Sequence, residues 1–435
     1  MADRKLSDSL VLPNSKREAK NRLLKAPMTE RLATWDKDDH NQSGIPTPEL
    51  VSLYRTWGNG DIGIIVSGNI MIDRNHIEVP GNVILEDSSG GRIEKLNEVV
   101  VAAQEHGSLC VAQLNHPGRQ INSLLQPNPV SCSAIQLEGE KVGMTFGKPT
   151  ALTKAGISKI VEQFAESSRL CHKAGFDGVQ LHGAHGYLIG QFLSKRTNIR
   201  TDEYNGSITN RARFLFEIVE AIKSKVDDAR FSISVKLNSV EFMDGFTLED
   251  CRDLCVQLQE AKVDFVELSG GTYEELEFSH KRESTIKREA FFFEFAKLIT
   301  PVLDEKKTLV YLTGGFRSSK GMQAALVEKY ARGAGWEDHP ISTVSADPYL
   351  GTKFLTDISA SAPKEKVPEP LSILASGINM TRIAKGQVLL DLASSEDIDR
   401  LLKAVSTWLE MAAANAKKGI CLPGYCEVPD ARQDA

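Results

Sequence analysis

Short runs rich in Val, Ile and Leu recur roughly every 30 to 45 residues, separated by longer stretches of helical periodicity, and this alternation constrains the fold more than any other feature. Runs apolar on both faces are what a parallel sheet covered by helices requires. Seven are clear: Arg22–Met28, Ile62–Gly68, Leu109–Leu114, Gly178–His182, Phe231–Leu237, Phe265–Leu268 and Leu309–Thr313. An eighth is expected between about Gly333 and Val344, where Gly-Ala-Gly-Trp-Glu-Asp-His-Pro-Ile-Ser is unusually polar for a barrel strand. Helices are expected over Gly91–His106, Lys154–Ala174, Asn210–Val226, Leu248–Ala261, Ala290–Leu303 and Ser318–Arg332. The expected fold is an α/β (β/α)8 TIM barrel with a degenerate eighth strand.

A chain of 435 residues, 41% of them hydrophobic, can build one such core, and the barrel is assigned to residues 1–360. Residues 361–435 begin with a Pro- and Lys-rich link, continue with helical patterning and end in a polar stretch expected to lack order: a helical C-terminal extension. A net charge of −6 gives no general attraction for nucleic acid or anionic membranes, so small molecules are the expected partners, with a homo-oligomer left open. No apolar run spans a bilayer and the start lacks a signal-peptide pattern, so a cytoplasmic protein is expected. Seven cysteines without metal-site spacing read as thiols, and no metal is expected.

The segment Gly175-Phe-Asp-Gly-Val-Gln-Leu-His-Gly-Ala-His-Gly-Tyr places His182, His185 and Tyr187 in the loop that follows a strand. Two imidazoles there can donate to one oxygen as negative charge develops on it, and a nearby phenol can deliver a proton. A metal pair and two satisfied buried histidines are the alternatives. Arg119–Thr150, rich in Pro, Gly, Ser and Asn, reads as a long loop insertion at the active-site end of the barrel. Gly58-Asn-Gly60-Asp-Ile-Gly63 fits a dinucleotide fingerprint but precedes a strand, so it is not one.

Three motifs carry a resemblance: Asn21-Arg22 leading into Ala26-Pro27-Met28-Thr29, then Gln113-Leu-Asn-His-Pro-Gly-Arg119, then His182-Gly-Ala-His185-Gly-Tyr187 continuing through Phe192-Leu-Ser194 and Asn198-Ile-Arg200-Thr-Asp202-Glu-Tyr204 to Asn210-Arg211. From about residue 7 to 360 the chain resembles the old yellow enzyme family of FMN-dependent ene-reductases. The resemblance implies tightly bound, non-covalent FMN and hydride transfer from NAD(P)H through flavin N5 to the activated C=C of an α,β-unsaturated carbonyl or similar electron-poor substrate. It makes His182 and His185 the holders of the activating group and Tyr187 the proton donor. Pro27, Met28 and Thr29 would lie along the flavin, with Thr29 on O4; Gly68 would admit the ring edge, and Gln113 would read the pyrimidine.

Two departures stand out. Lys236 occupies the place of an arginine facing flavin N1 and O2, a point charge where the family has a planar fork. Gly314 and Gly315 match the family's first phosphate turn, but the second lacks its Gly-Arg and reads Gly335-Trp-Glu-Asp-His339-Pro, with His339 near the arginine's place. Arg317 is the nearest candidate to compensate. The departures keep two alternatives open: a pseudoenzyme or binding protein with weakened FMN affinity, and a flavin-free lyase using Lys236 as a Schiff-base amine.

Overall fold

The computed structural model describes residues 4–140, 143–238, 245–269, 296–313, 316–336, 343–363, 365–368 and 371–430. Eight strands, β1 (Leu23–Lys25), β2 (Ile64–Met71), β3 (Leu109–Asn115), β4 (Gly178–Gly183), β5 (Ser232–Asn238), β6 (Phe265–Ser269), β7 (Leu309–Leu312) and β8 (Gly333–Trp336), pair in parallel and in order. The register Leu24↔Gly335 and Lys25↔Trp336 joins β8 to β1 and closes the barrel. The expected TIM barrel is therefore present, and its weak eighth strand is four fully buried residues long. Its glycines have a steric reason: a Cβ at Gly333 would overlap the Tyr311 ring, and one at Gly335 the Leu24 carbonyl.

Around the barrel run α1 (Pro48–Gly58), α2 (Arg92–Gln104), α3 (Lys154–Lys173), α4 (Leu188–Leu193), α5 (Arg213–Lys225), α6 (Leu248–Glu260) and α7 (Ser319–Val327). Side-chain caps from Thr47, Thr153 and Ser318, and a capping box between Thr247 and Asp250, start four of them. Helix α1 is not among the expected helices, although Thr47-Pro48 is a start signal. That helix also explains the false fingerprint. Gly58 ends α1, and added Cβ atoms at Gly58, Gly60 and Gly63 would strike the carbonyls of Ala102, Pro348 and Asn21, so these glycines serve close backbone packing. Of the helix expected over Ala290–Leu303, only the part from Ala296 lies within the described residues.

Strand alternation divides the barrel interior into two zones. At the N-terminal end Leu24, Ile64, Val66, Leu109, Phe265 and Tyr311 form an apolar plug, covered by Leu10, Leu12 and Ala19 of a small N-terminal hairpin. At the C-terminal end the inward positions turn polar.

Two further helices, α8 (Ser372–Ala384) and α9 (Ser395–Ala416), form the C-terminal extension, and residues of α1, α8 and α9 share one hydrophobic cluster with the barrel's outer face. The tail to Asp430 folds back: Arg382 donates to the Val428 carbonyl and pairs with Asp430, and Tyr425 fills the space over Gly377. The last five residues of the polar stretch, 431–435, lie outside the described ones. No described helix is long and apolar enough to cross a membrane.

Candidate active site

The end of β4, with His182, and the loop after it, with His185 and Tyr187, deliver the predicted trio. His185 adopts a left-handed conformation (φ 55°), held by its N–H on Asn238 Oδ1 at 2.8 Å and by Gln120 Nε2 on its carbonyl at 2.8 Å. The strain of a non-glycine residue there is offset by those bonds. His182 Nδ1 accepts from the Ala184 N–H at 3.3 Å, which leaves the proton of a neutral ring on Nε2, the donor form. The His182 ring lies 5.0 Å from that of His185 and 4.7 Å from that of Tyr187, both edge-on. His185 Nε2 sits 3.1 Å from Ser269 Oγ at the end of β6.

Below this trio, polar side chains span the barrel. Gln113 Nε2 donates to Gln180 Oε1 at 2.8 Å, Gln180 Nε2 to Glu267 Oε2 at 2.7 Å, and Thr313 Oγ1 to Glu267 Oε1 at 2.9 Å. Lys236 Nζ completes the chain 3.2 Å from Glu267 Oε1, both side chains at 1% exposure or less. A lysine paired so closely with a buried carboxylate is held as the cation, the opposite of what a Schiff-base nucleophile needs.

The turn after β1 holds buried Pro27 and Met28 and half-buried Thr29. Thr29 Oγ1 donates to Glu78 at 3.1 Å, and Tyr187 OH to the same carboxylate at 2.9 Å. Gly68 lies beside this turn: a Cβ there would overlap Glu30 Oε2 and the Met28 carbonyl, and its N–H donates to Glu30 at 2.8 Å. Gly314, Gly315 and His339 lie outside the described residues, as do Glu337 and Asp338. Arg317, the candidate replacement for the phosphate arginine, pairs with Glu365 at 3.3 Å and donates to the Pro363 carbonyl.

Among the described residues one group of three side chains, Asp73, His76 and His116, brings metal-capable atoms together. Asp73 lies 3.0 Å from His76 Nδ1. His116 Nδ1 accepts the Gly118 N–H at 3.0 Å, so the neutral ring carries its proton on Nε2, the atom left for a ligand. Burial, then repulsion from His76, pushes His116 down to about 3 and keeps it neutral. That tautomer is wrong for ligation.

The C-terminal mouth of the barrel carries groups whose chemistry suits an FMN ring. It offers a cation, alternating amide donors and acceptors, and at Asn115, two residues beyond Gln113 on the same strand face, a buried amide whose two polar atoms are both unpartnered. Asn69 Oδ1 is a third such atom.

A profile of the NADH:flavin oxidoreductase / NADH oxidase family matches residues 15–332. The chain belongs to this family. An NADH-dependent flavin oxidoreductase of Aspergillus parasiticus, nadA, is 40% identical over 417 residues, 94% of this chain and 92% of that one. Another from Hypocrea jecorina, iliE, is 33% identical over 326 residues, covering 70% and 79%. Morphinone reductase superposes with a TM-score of 0.69 over 83% of this chain and 92% of its own at 23% identity, which speaks for the fold. As a member of the NADH:flavin oxidoreductase family this protein is an FMN-dependent oxidoreductase with a reduced nicotinamide as reductant, and ene-reduction is consistent with that membership.

Much of the long family motif after the trio is scaffold. Asn198 Nδ2 donates to the Phe192 and Tyr204 carbonyls, Arg200 pairs with Asp202 at 2.6 Å, and Arg211 pairs with Asp250 at 2.7 Å, fastening the loop between β4 and α5. Sequence reasoning missed Glu78, Gln180, Glu267, Asn69 and Asn115. Gln180 and Glu267 carried a signal, as polar residues in otherwise apolar runs at the parity of Gln113 and Lys236; Glu78, in a loop, carried none.

Proposed function

We propose that this family member reduces the activated C=C of an α,β-unsaturated carbonyl or similar electron-poor alkene with NAD(P)H. The observation that carries the reading is the meeting of His182, His185 and Tyr187 above the Gln113–Gln180–Glu267–Lys236 chain. With FMN bound, the site holds a two-electron carrier able to take a hydride and return it. Pro27, Met28, Thr29, Gly68 and Gln113 would line that cofactor's ring, Lys236 would place positive charge at its pyrimidine end, and Gly314, Gly315 and His339 would meet its phosphate. The Nε2–H of His182, with His185 beside it, would hold the substrate's carbonyl oxygen and stabilise charge gathering there. Tyr187 would give its proton to the α-carbon.

Residues 1–360 are read as the barrel unit and 361–435 as its extension. The same reading takes the protein to act in the cytoplasm on small molecules rather than nucleic acid, with a homo-oligomer as the assembly to test; seven free thiols suit a reducing compartment. The test begins with the visible spectrum of desalted protein, before and after equilibration with FMN. About one flavin per chain, bleached by NADH or NADPH and restored by an enone, supports the reading. Protein that stays colourless with excess FMN favours the pseudoenzyme.

A further inference from the structure

His185 is gripped from three other segments of the chain. Asn238 closes β5 and Ser269 closes β6, and the two pair in register at the C-terminal edge of the barrel. Both are fully buried, and both side chains meet the same histidine on the loop after β4. Asn238 Oδ1 accepts the His185 N–H at 2.8 Å, Gln120 Nε2 donates to its carbonyl at 2.8 Å, and Ser269 Oγ lies 3.1 Å from its ring Nε2. The first two bonds hold the backbone in its left-handed conformation. The third acts on the ring, where it bears on which nitrogen carries the proton.

A neutral imidazole has one N–H and one lone pair, so a hydrogen bond at one nitrogen sets the state of the other. His182 shows the rule: its Nδ1 accepts from the Ala184 N–H, which puts the proton on Nε2. At His185 the engaged nitrogen is Nε2, and a serine hydroxyl can either accept or donate there. If Nε2–H donated to Ser269, the ring's one proton would be spent on β6, and Nδ1 would be a lone pair, with nothing to offer a carbonyl oxygen. If Ser269 donates instead, Nδ1 carries the proton and the ring is a donor. Only the second arrangement lets His185 hold the substrate's oxygen without first releasing Ser269.

We propose that Ser269 is the positioning residue that sets the tautomer of His185, its hydroxyl donating to Nε2 so that Nδ1–H is presented to the substrate; this rests on the reading of His185 as a holder of the activating group. The two histidines then donate through different nitrogens, His182 through Nε2 and His185 through Nδ1, from rings 5.0 Å apart and inclined at 75°. Ser269 transfers no proton. Its effect is to fix a donor before charge gathers on the substrate's oxygen, and a donor already in place needs no reorganisation at that moment.

The test uses the FMN-loaded full chain, with cyclohexenone as the enone. NMR of protein labelled with heavy nitrogen in histidine reads the tautomer without turnover, the His185 signals being identified by their loss in His185→Asn. The native ring is expected to carry its proton on Nδ1, Ser269→Thr to keep it there, and Ser269→Ala to shift the population towards the Nε2–H form. In rapid mixing, Ser269→Ala is expected to slow alkene reduction on the order of tenfold, part of the roughly 10²- to 10³-fold that one such donor contributes, and Ser269→Thr to recover most of it. His185→Asn supplies an amide that donates whatever its neighbour does, on a residue type that tolerates the left-handed backbone. In that background Ser269→Ala is expected to add less than about twofold, since the two residues act as one unit.

A native His185 with its proton on Nε2 overturns the proposal. So does a Ser269→Ala variant that binds the enone more tightly or reduces it faster, because Ser269 would then be an acceptor holding the ring back. A loss of full size in the His185→Asn background, or an unchanged tautomer and rate in Ser269→Ala beside a slow His185→Ala, overturns it alone. A His185→Ala variant that reduces the enone at the native rate overturns the reading of His185, and the role of Ser269 with it.

Discussion

The Tyr425 hydroxyl donates to the backbone carbonyl of Thr29 at 2.7 Å, joining the C-terminal tail to the candidate flavin turn across 396 positions of sequence. The Tyr425 ring also lies under the Arg31 guanidinium, 4.5 Å from ring centre to Cζ, and over Gly377. The family match stops at residue 332, so this clasp comes from the part of the chain beyond it. Tyr425→Phe keeps the packing and removes one hydrogen bond, for an expected loss of about 1 kcal/mol. Tyr425→Ala removes the ring as well and should cost about 3–5 kcal/mol. Both should weaken FMN binding in the same order, read by fluorescence titration beside urea unfolding. Flavin affinity untouched in both variants would separate the tail from the site.

Gly333 stands where a Cβ would overlap the fully buried Tyr311 ring. Gly333→Ala should therefore destabilise by about 1–3 kcal/mol through overpacking of the barrel interior. Trimming the ring in Gly333→Ala/Tyr311→Leu should recover part of the loss. Urea midpoints of the two variants decide the matter, and equal midpoints would remove the steric account of the short eighth strand.

The barrel was legible because each strand is buried on both faces and so reads as an apolar run. The eighth was hard to read because two of its four residues are glycines placed by neighbours, Tyr311 and Leu24, that sit far away in sequence. Helix α1 had a readable start at Thr47-Pro48 but was hidden by the glycines that end it. His182 at the end of β4 and His185 and Tyr187 in the loop that follows are neighbours in sequence, so local sequence contained their relationship. Lys236 was visible as a cation within an apolar strand, but its partner Glu267 comes from the next strand, and pairing across strands leaves no mark on spacing. Glu78 and Tyr425 meet Tyr187 and Thr29 only through the fold.

Glu365, in the link to the extension, makes stability depend on pH. Burial, only partly offset by Arg317, raises its carboxyl from 4.5 to about 7. A carboxyl whose pKa is raised by folding binds more protons in the folded than in the unfolded state between those values. Stability therefore falls as pH rises through that window, and the whole penalty, at most about 3 kcal/mol, is present above it. Glu365→Gln mimics the protonated form and should be more stable than the native protein at about pH 8, with the difference vanishing near pH 4.5. Unfolding free energies measured across that range test this. Parallel pH profiles for the two proteins would show that Glu365 ionises without penalty.

Lys236 and Glu267 are 3.2 Å apart with almost no exposure. Lys236→Met leaves Glu267 without this cation in a buried site and should cost about 3–5 kcal/mol, whereas Lys236→Met/Glu267→Gln, which removes both charges, should recover much of it. Lys236→Arg keeps the charge and should fold. The same pair sets how much positive charge reaches the pyrimidine end of the cofactor cradle. Glu267→Gln leaves the charge of Lys236 less neutralised and should raise the midpoint potential of bound FMN, because a nearby cation favours the reduced, more negative state; Lys236→Met should lower it. Equilibration with reference dyes gives both potentials. Opposite shifts would tie Lys236 to the flavin, while unchanged potentials in two variants that still bind FMN would move the flavin away from β5 and leave the ion pair as barrel structure.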